Sequence, residues 1–328
     1  MRIHIVMYHY IRDMGRSRYP SIKGLETLHF KKQLEFLCSN FTIIRMEDML
    51  AALEGAKLPE NAALLTFDDG YIDHYLTVFP LLDNMGIQGS FFPPSTVLQT
   101  GKLLDVNRIH FILAAGDTTD IYRSLLDEIE FLRGTEFSVP DVQELIRVHS
   151  IPNRFDSGDV IFIKRMLQTV LPEQKRGMIA EKLFQRFVGV NEAVFSRELY
   201  MDVSQLTVMK RHGMFIGLHG GDHGWLGNMK QNEYEADISK ALDFMDSEGL
   251  VDKKAWVMNY PYGSWSDGVV NYIRKNGCQA GLTTEVAVAD VLTHKRLLLP
   301  RLDTNDFPPK SKNYTNFQNH RNTATEIT

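Results

Sequence analysis

Cysteine is scarce in this 328-residue chain: Cys38 and Cys278 are the only two, far apart and outside any CxxC spacing. The pattern offers no disulfide framework and no CxxC redox or metal motif. The apolar neighbours of each predict two reduced, buried thiols in a reducing compartment. Charge of one sign never accumulates. No run reaches five like charges, and Lys+Arg 36 against Asp+Glu 41 leaves a formal net charge of −5. A nucleic-acid groove and a polybasic membrane anchor are disfavoured, so small molecules or glycans are the expected partners. Nor does any stretch approach 18 uninterrupted apolar residues, which argues against a membrane span. The apolar opening from Met1 to Met7 is interrupted by His4 and closed by Tyr8 and His9, too short for a signal-peptide core. Export by the ordinary route is not expected; a cytoplasmic location is, the cytosolic face of the membrane included. There is no internal repeat.

What the sequence does contain is a series of short apolar runs, each leading into polar or Gly/Pro punctuation. They lie at Ile3 to Tyr8, Phe41 to Ile44, Ala62 to Phe67, Gly89 to Phe92, Met214 to Leu218, Ala255 to Met258, Gln279 to Leu282 and Leu297 to Leu299. These read as strands. Helix-period segments such as Phe30-Leu34-Leu37, Tyr75-Val78-Leu82-Met85 and Tyr234-Ile238-Leu242-Met245 lie between several of them, with Gly86 and Gly249 as stops. Alternating strand and helix predicts an α/β fold with a parallel sheet, most simply a (β/α) barrel. Residues 101–200 break the rhythm. They carry helical patterns over Ile121 to Leu132, Val142 to Val148, Ile161 to Val170 and Met178 to Val188, so a helical insertion is expected between the fourth and fifth barrel strands, placed as a cap. The expected organisation is a barrel over 1–100 and 201–308, the insertion over 101–200, and a polar, exposed tail over 309–328.

Four segments at strand ends could carry chemistry. The run Ala63-Leu64-Leu65-Thr66-Phe67 stops at Asp68-Asp69-Gly70. Neighbouring side chains diverge, so one carboxylate can hold a metal while the other accepts a proton; an aspartate capping the next helix is the ordinary alternative. His219-Gly220-Gly221-Asp222-His223 follows the run ending at Leu218. Two histidines four apart can share an ion, although a composition with 11 histidines supplies about 0.4 such pairs by chance. Asn259-Tyr260-Pro261-Tyr262-Gly263 closes another strand. Such a turn can aim a backbone N–H at an oxyanion and offer aromatic faces to a sugar, or can simply join strand to helix. Tyr8-His9 ends the first strand. A lone histidine is commonly structural, but this one shares the rim with the other three.

These residues resemble the NodB-homology polysaccharide deacetylases, carbohydrate esterase family 4. Thr66-Phe67-Asp68-Asp69-Gly70 is similar to the T-F-D-D-G motif without a mismatch, and a five-residue match has a chance expectation on the order of 10⁻⁴ per chain. His219 to His223 resembles H-[ST]-x-x-H, with Gly220 at the hydroxyl position. Asn259 to Gly263 resembles R-x-P-[YF]-G, with Asn259 at the arginine position. The resemblance covers about 1 to 100 and 201 to 305. It implies a distorted (β/α) barrel with Asp68 as general base and Asp69, His219 and His223 as ligands of a divalent metal ion. Zinc suits this ligand set, and iron, cobalt, nickel or manganese are admitted. The implied reaction is hydrolysis of an N-acetyl amide: water activated at the metal and deprotonated by Asp68 attacks the carbonyl, and the Tyr262 backbone N–H stabilises the oxyanion.

The family's late L-x-H motif has no clear counterpart. Leu292-Thr293-His294 is one candidate, but Met7-Tyr8-His9 is similar to the poly-N-acetylglucosamine deacetylases, in which an N-terminal Tyr-His supplies the acid, so His9 is preferred to His294. Asn259 cannot replace the field of an arginine beside the base, and Arg301 is the candidate substitute charge. Asp303 is a candidate to orient the acid histidine, or a turn residue. Asn259, Tyr260, Trp225 and Arg301 are the expected substrate contacts, with Asp73, His74 and Asp222 as rim candidates. The expected function is metal-dependent removal of an acetyl group from an N-acylated amino sugar in a glycan or a nucleotide- or lipid-linked precursor, as in surface polysaccharide biosynthesis. A deformylase or other amidase on the same site and a non-catalytic carbohydrate-binding protein are the alternatives. The expectation includes no nucleic-acid partner and no integral membrane segment, and it leaves the oligomeric state open.

Overall fold

The computed structural model describes residues 1–133, 140–152 and 156–317. Seven parallel strands form the frame: β1 (Arg2–Tyr8), β2 (Ala62–Asp68), β3 (Ser90–Phe92), β4 (Phe215–Ile216), β5 (Trp256–Asn259), β6 (Cys278–Val286) and β7 (Leu299–Asp303). Their order is β4-β3-β2-β1-β7-β6-β5. The two edges meet just beyond β4, where Leu218 N donates to Val257 O (3.0 Å) and Asn259 N donates to Leu218 O (2.9 Å). The sheet therefore curls into a distorted (β/α) barrel. Thr42–Ile43 adds a parallel pair to the start of β2, and Ala289–Asp290 an antiparallel pair to the start of β1.

Strand periodicity explains both layers of the core. Alternate side chains Ile3 and Ile5, Ala62 and Leu64, Val257, Ala280 and Leu282, and Leu299 fill one cluster inside the barrel. Residues one position away, among them Val6, Tyr8, Leu65, Phe67, Trp256 and Met258, pack in a second cluster with Leu34 and Leu37 of the helix Thr27–Asn40 and Ile238 and Leu242 of the helix Gln231–Ser247. Because every residue of β2 is buried, its run reads as continuously apolar rather than alternating.

The chain divides into two compact units. The barrel unit comprises Met1–Asp13, Gly24–Gly101 and Glu198–Thr328, and the second comprises Met14–Lys23 and Lys102–Arg197. The second unit is helical, with Asp105–Ala115, Thr118–Arg133, Val142–His149, Gly158–Arg165 and Glu173–Phe187 among its elements. Its core includes Phe111, Phe184 and Phe195, and Tyr19 sets its ring edge-on against Phe111 and Phe195 at 5.1 and 5.7 Å. Those contacts explain why Met14–Lys23, which the expected 1–100 segment places with the barrel, groups with the helices. Of the expected tail, residues 318–328 lie outside the described residues. Within the described part, Tyr314 stacks on Phe307 with ring centroids 5.2 Å apart.

Two thiols were expected to be buried, and one is. Cys278 opens β6 in the core, whereas Cys38 is exposed, one position past the buried Phe30-Leu34-Leu37 stripe of its helix. No helix among the described residues is long and apolar enough to cross a membrane.

Candidate active site and metal centre

The strand parity that fills the barrel also places its polar layer. Ala62, Leu64, Thr66 and Asp68 share the inner face of β2, as do Val257 and Asn259 on β5 and Leu299 and Arg301 on β7. Asp68, Asn259 and Arg301 therefore meet at the C-terminal mouth, directly above the apolar filling. Arg301 binds Asp68 with two parallel bonds, Nη1 to Oδ1 at 2.9 Å and Nη2 to Oδ2 at 2.8 Å. Two further donors go to Thr66 Oγ1 (3.1 Å) and Thr283 O (2.8 Å). Asn259 Nδ2 donates to Asp68 Oδ1 at 2.6 Å. The pair is sealed, with side-chain exposures of 0% for Arg301 and 2% for Asp68. Burial pushes the Asp68 carboxyl up, but the Arg301 guanidinium, helped by His9, outweighs it and holds the group below the ordinary carboxylate range. Asp68 is thus an anion with its orientation fixed.

His9 follows β1, whose Tyr8 pairs with Phe67 of β2, so the next residue of each strand comes level. Its Nε2 lies 3.8 Å from Asp68 Oδ2, and its side chain is 42% exposed. It is the open side of an otherwise closed carboxylate. His294 is at the other end of the barrel: its Nδ1 accepts from Asp290 N (2.8 Å), beside the start of β1.

Asp69 begins a separate centre. Its φ of 71° is left-handed, rare for a residue other than glycine, and it turns the carboxylate away from that of Asp68. Asp69 Oδ1 lies 3.3 Å from His219 Nε2 and 3.2 Å from His223 Nε2. The three ligand atoms all fall within 4.8 Å of one another, and all three residues are buried. Tyr71 Oη donates to Asp69 Oδ2 at 2.5 Å. His219 Nδ1 donates to Asn259 O at 2.6 Å, which leaves the Nε2 lone pair facing Asp69. Asp69 Oδ1 is buried without a hydrogen-bond partner. Burial pushes Asp69 up, yet the His223 and His219 rings hold it well below the ordinary range; burial also lowers His223 and favours its neutral, ligating form. Two ligands at about 2.05 Å in tetrahedral geometry stand about 3.3 Å apart. The donor set, its spacing and the orphaned oxygen therefore fit one divalent cation, with zinc, iron, cobalt, nickel and manganese all compatible with Asp/His₂ ligation.

The aromatic side of the site is Tyr262, in a left-handed turn (φ 57°), stacked on Trp225 at 4.3 Å and 6°, with the His223 ring 4.7 Å away. Three expected substrate contacts sit elsewhere than foreseen. Tyr260 is fully buried and donates its hydroxyl to Leu297 O (2.9 Å), because its parity continues Trp256 and Met258 into the outer core. Asn259 and Arg301 are sealed against Asp68 and face the base rather than the cleft. Asp303 accepts from Asn305 N (2.8 Å) and so serves the turn. Asp73 pairs with Arg12 Nε at 2.8 Å, His74 Nε2 contacts His9 O at 2.9 Å, and Asp222 bonds Thr96 Oγ1. Two supporting residues escaped the sequence reading. Tyr71 had only its nearness to Gly70 as a signal. Asp237, which accepts from Gly221 N and Asp222 N, had none.

With the geometry established, likeness to known proteins can be stated. Residues 185–281 match the family model for polysaccharide deacetylase, a segment that holds His219, His223 and the Asn259 turn. YxkH of Bacillus subtilis (strain 168), which bears a polysaccharide deacetylase name, is 30% identical over 93 residues, 28% of this chain and 31% of its own. The match thus spans about a third of that relative's length. Among solved structures, the deacetylase PplD of Streptococcus pyogenes, in complex with acetate, superposes with a TM-score of 0.59 at 16% identity, over 96% of both chains. A de-N-acetylase from Aggregatibacter actinomycetemcomitans gives 0.57 at 16% identity, over 96% of this chain and 100% of its own. IcaB from Ammonifex degensii gives 0.56 at 15%, over 96% and 95%. The barrel is the fold of these deacetylases, and the resemblance read from the motifs to the NodB type is borne out.

Proposed function

We propose that this chain, matched over residues 185–281 by the polysaccharide deacetylase family and built on the NodB-type barrel, is a divalent-cation-dependent N-deacetylase of an amino sugar in a glycan or its linked precursor. The observation that carries the reading is the buried Asp69 Oδ1, without a hydrogen-bond partner and set 3.2 to 3.3 Å from two imidazole nitrogens, beside a second carboxylate kept ionised by Arg301. Asp69, His219 and His223 would hold the cation. When bound, it supplies Lewis acidity, polarising an amide carbonyl and making water more acidic.

The protein's own groups then divide the proton work. Asp68 takes a proton from the attacking water as the water oxygen bonds to the carbonyl carbon; its two bonds from Arg301 and one from Asn259 keep it in place while it does so. The Tyr262 turn supports a backbone N–H donated to the developing oxyanion. As the C–N bond breaks, His9 delivers a proton to the departing nitrogen, a role its exposed position beside Asp68 permits. Acetate and the free amine are the products. The stacked Trp225–Tyr262 pair offers an aromatic face for a pyranose ring next to His223. The names of the relatives, a de-N-acetylase and a deacetylase in complex with acetate, support the same reaction class.

The test is acetate release from N-acetylated amino-sugar oligomers. Loss of the base costs roughly 10²–10⁴ in rate, so Asp68→Asn should lose turnover by that factor while keeping the cation. Turnover by Asp68→Asn within tenfold of the unaltered protein would remove Asp68 as the base.

A further inference from the structure

The two imidazoles of the proposed cation site sit on a five-residue segment, His219 to His223, with little regular structure of its own. Two of its peptides are nevertheless held from opposite sides. Gly220 O and Gly221 O accept from Ser95 N (3.2 Å) and Thr96 N (3.1 Å). On the other side Asp237 uses both carboxylate oxygens: Oδ2 accepts from Gly221 N at 2.8 Å and Oδ1 from Asp222 N at 2.9 Å. A carboxylate that spans two successive N–H groups fixes the plane of both peptides. Asp237 is itself rigidly based, since it precedes the fully buried Ile238 on a 17-residue helix whose Tyr234, Ile238, Ala241, Leu242 and Met245 pack into the outer core.

The segment needs such a brace. Its last residue, His223, adopts a φ of 53°, a conformation costly for a side-chain-bearing residue unless its surroundings impose it. The residue at 221 is set by the same contact. A Cβ there would stand 2.7 Å from Asp237 Oδ1 and 3.2 Å from Asp237 O, so only glycine admits so close a carboxylate. Asp237 makes no hydrogen bond to either imidazole, so its positional hold on them runs through the backbone, beside its charge interaction with His223.

We infer that Asp237 is a positioning residue for the cation site: by clamping Gly221 and Asp222 it holds His219 and His223 with both Nε2 atoms turned to Asp69. The inference rests on the proposed metal centre and adds a requirement that the ligands alone do not impose. Residues that orient metal ligands are worth about 10- to 100-fold in affinity.

The experiment uses the full chain, stripped of metal by a chelator and titrated with Co²⁺, with visible absorption as the readout of affinity and ligand geometry. Asp237→Ala removes both acceptors. Asp237→Asn keeps one and turns an amide donor against the other N–H. Ile238→Val, on the same helix, loosens its packing without touching the clamp, and thermal unfolding of each metal-free protein reports the general loss of stability. Both Asp237 variants should bind Co²⁺ at least tenfold more weakly and with an altered spectrum, while Ile238→Val keeps the affinity and spectrum of the unaltered protein. Asp237 variants that bind within threefold, or an equal loss in Ile238→Val, would overturn the inference and leave the metal centre standing. An unaltered protein that binds no Co²⁺ would remove the metal centre and this inference with it.

Discussion

Replacing Arg301 by leucine probes the centre of the account. In the folded protein Arg301 and Asp68 form a two-bond ion pair with side-chain exposures of 0% and 2%, and among the described residues nothing else carries a full positive charge at bonding distance from Asp68. His9 stands at 3.8 Å and Asn259 contributes one neutral donor. Removing one member of such a pair strands the other in a medium that solvates it poorly, at a cost of about 3 to 5 kcal/mol. Loss of the Arg301 bonds to Thr66 and Thr283 adds to the upper end of that range. The same change alters chemistry. With the guanidinium gone, burial is the main influence left on the Asp68 carboxyl and drives it upward, so the acid limb of kcat/KM should move to higher pH. Urea unfolding of the Arg301→Leu, Asp68→Asn and doubly substituted proteins forms a cycle. The double variant buries no unpaired charge, so the two single losses should fail to add by at least about 2 kcal/mol. Destabilisation of Arg301→Leu by less than about 1 kcal/mol, with additive losses, would refute the buried-pair argument.

Two further outcomes follow from the same geometry. His9→Gln should lower kcat by about 10²–10⁴ while leaving cation content and unfolding midpoint unchanged, since the ring is 42% exposed and holds no part of the core; a variant with ordinary turnover would take His9 out of the proton path. His4, which packs edge-on against Phe41, is pushed down to about 4 by burial, so it is neutral in the folded protein and charged in the unfolded chain between about pH 4 and 6.5. A histidine depressed in this way contributes fully above pH 6.5 and loses its contribution as pH falls, by about 3 kcal/mol at pH 4; His4→Leu should flatten that part of the acid limb in a pH series of urea unfolding, and an unchanged slope would contradict it.

Much of the site was legible because strand ends announce themselves. The seven residues of β2 form a buried run that stops at two acids, and the strand-end position of His9, His219 and Asn259 follows from the same rule. The tight turn at Asp69 also lets adjacent acids serve two centres, one facing Arg301 and one facing two imidazoles. What local sequence could not supply is the neighbour across the sheet. Arg301 was a candidate charge, but its contact with Asp68 joins residues 233 positions apart and exists because β1 alone lies between β2 and β7. Tyr260 was misplaced although its parity with Trp256 and Met258 already points into the outer core; the attraction of an aromatic at a strand end outweighed a period-2 signal. The strands Ile11–Arg12 and Leu25–Glu26 are two residues each, too short for any period to show. Asp237 looks like any solvated helix acid until the 219–223 segment is folded against it.

The most direct test of the central claim is cation content per chain, by elemental analysis of the purified protein beside Asp69→Ala and His223→Ala. The account predicts about one divalent ion per chain, lost in both variants, as expected for a site with three protein ligands. An unaltered protein that takes up no ion after reconstitution with zinc, iron, cobalt, nickel or manganese, or variants that retain the ion, would contradict it.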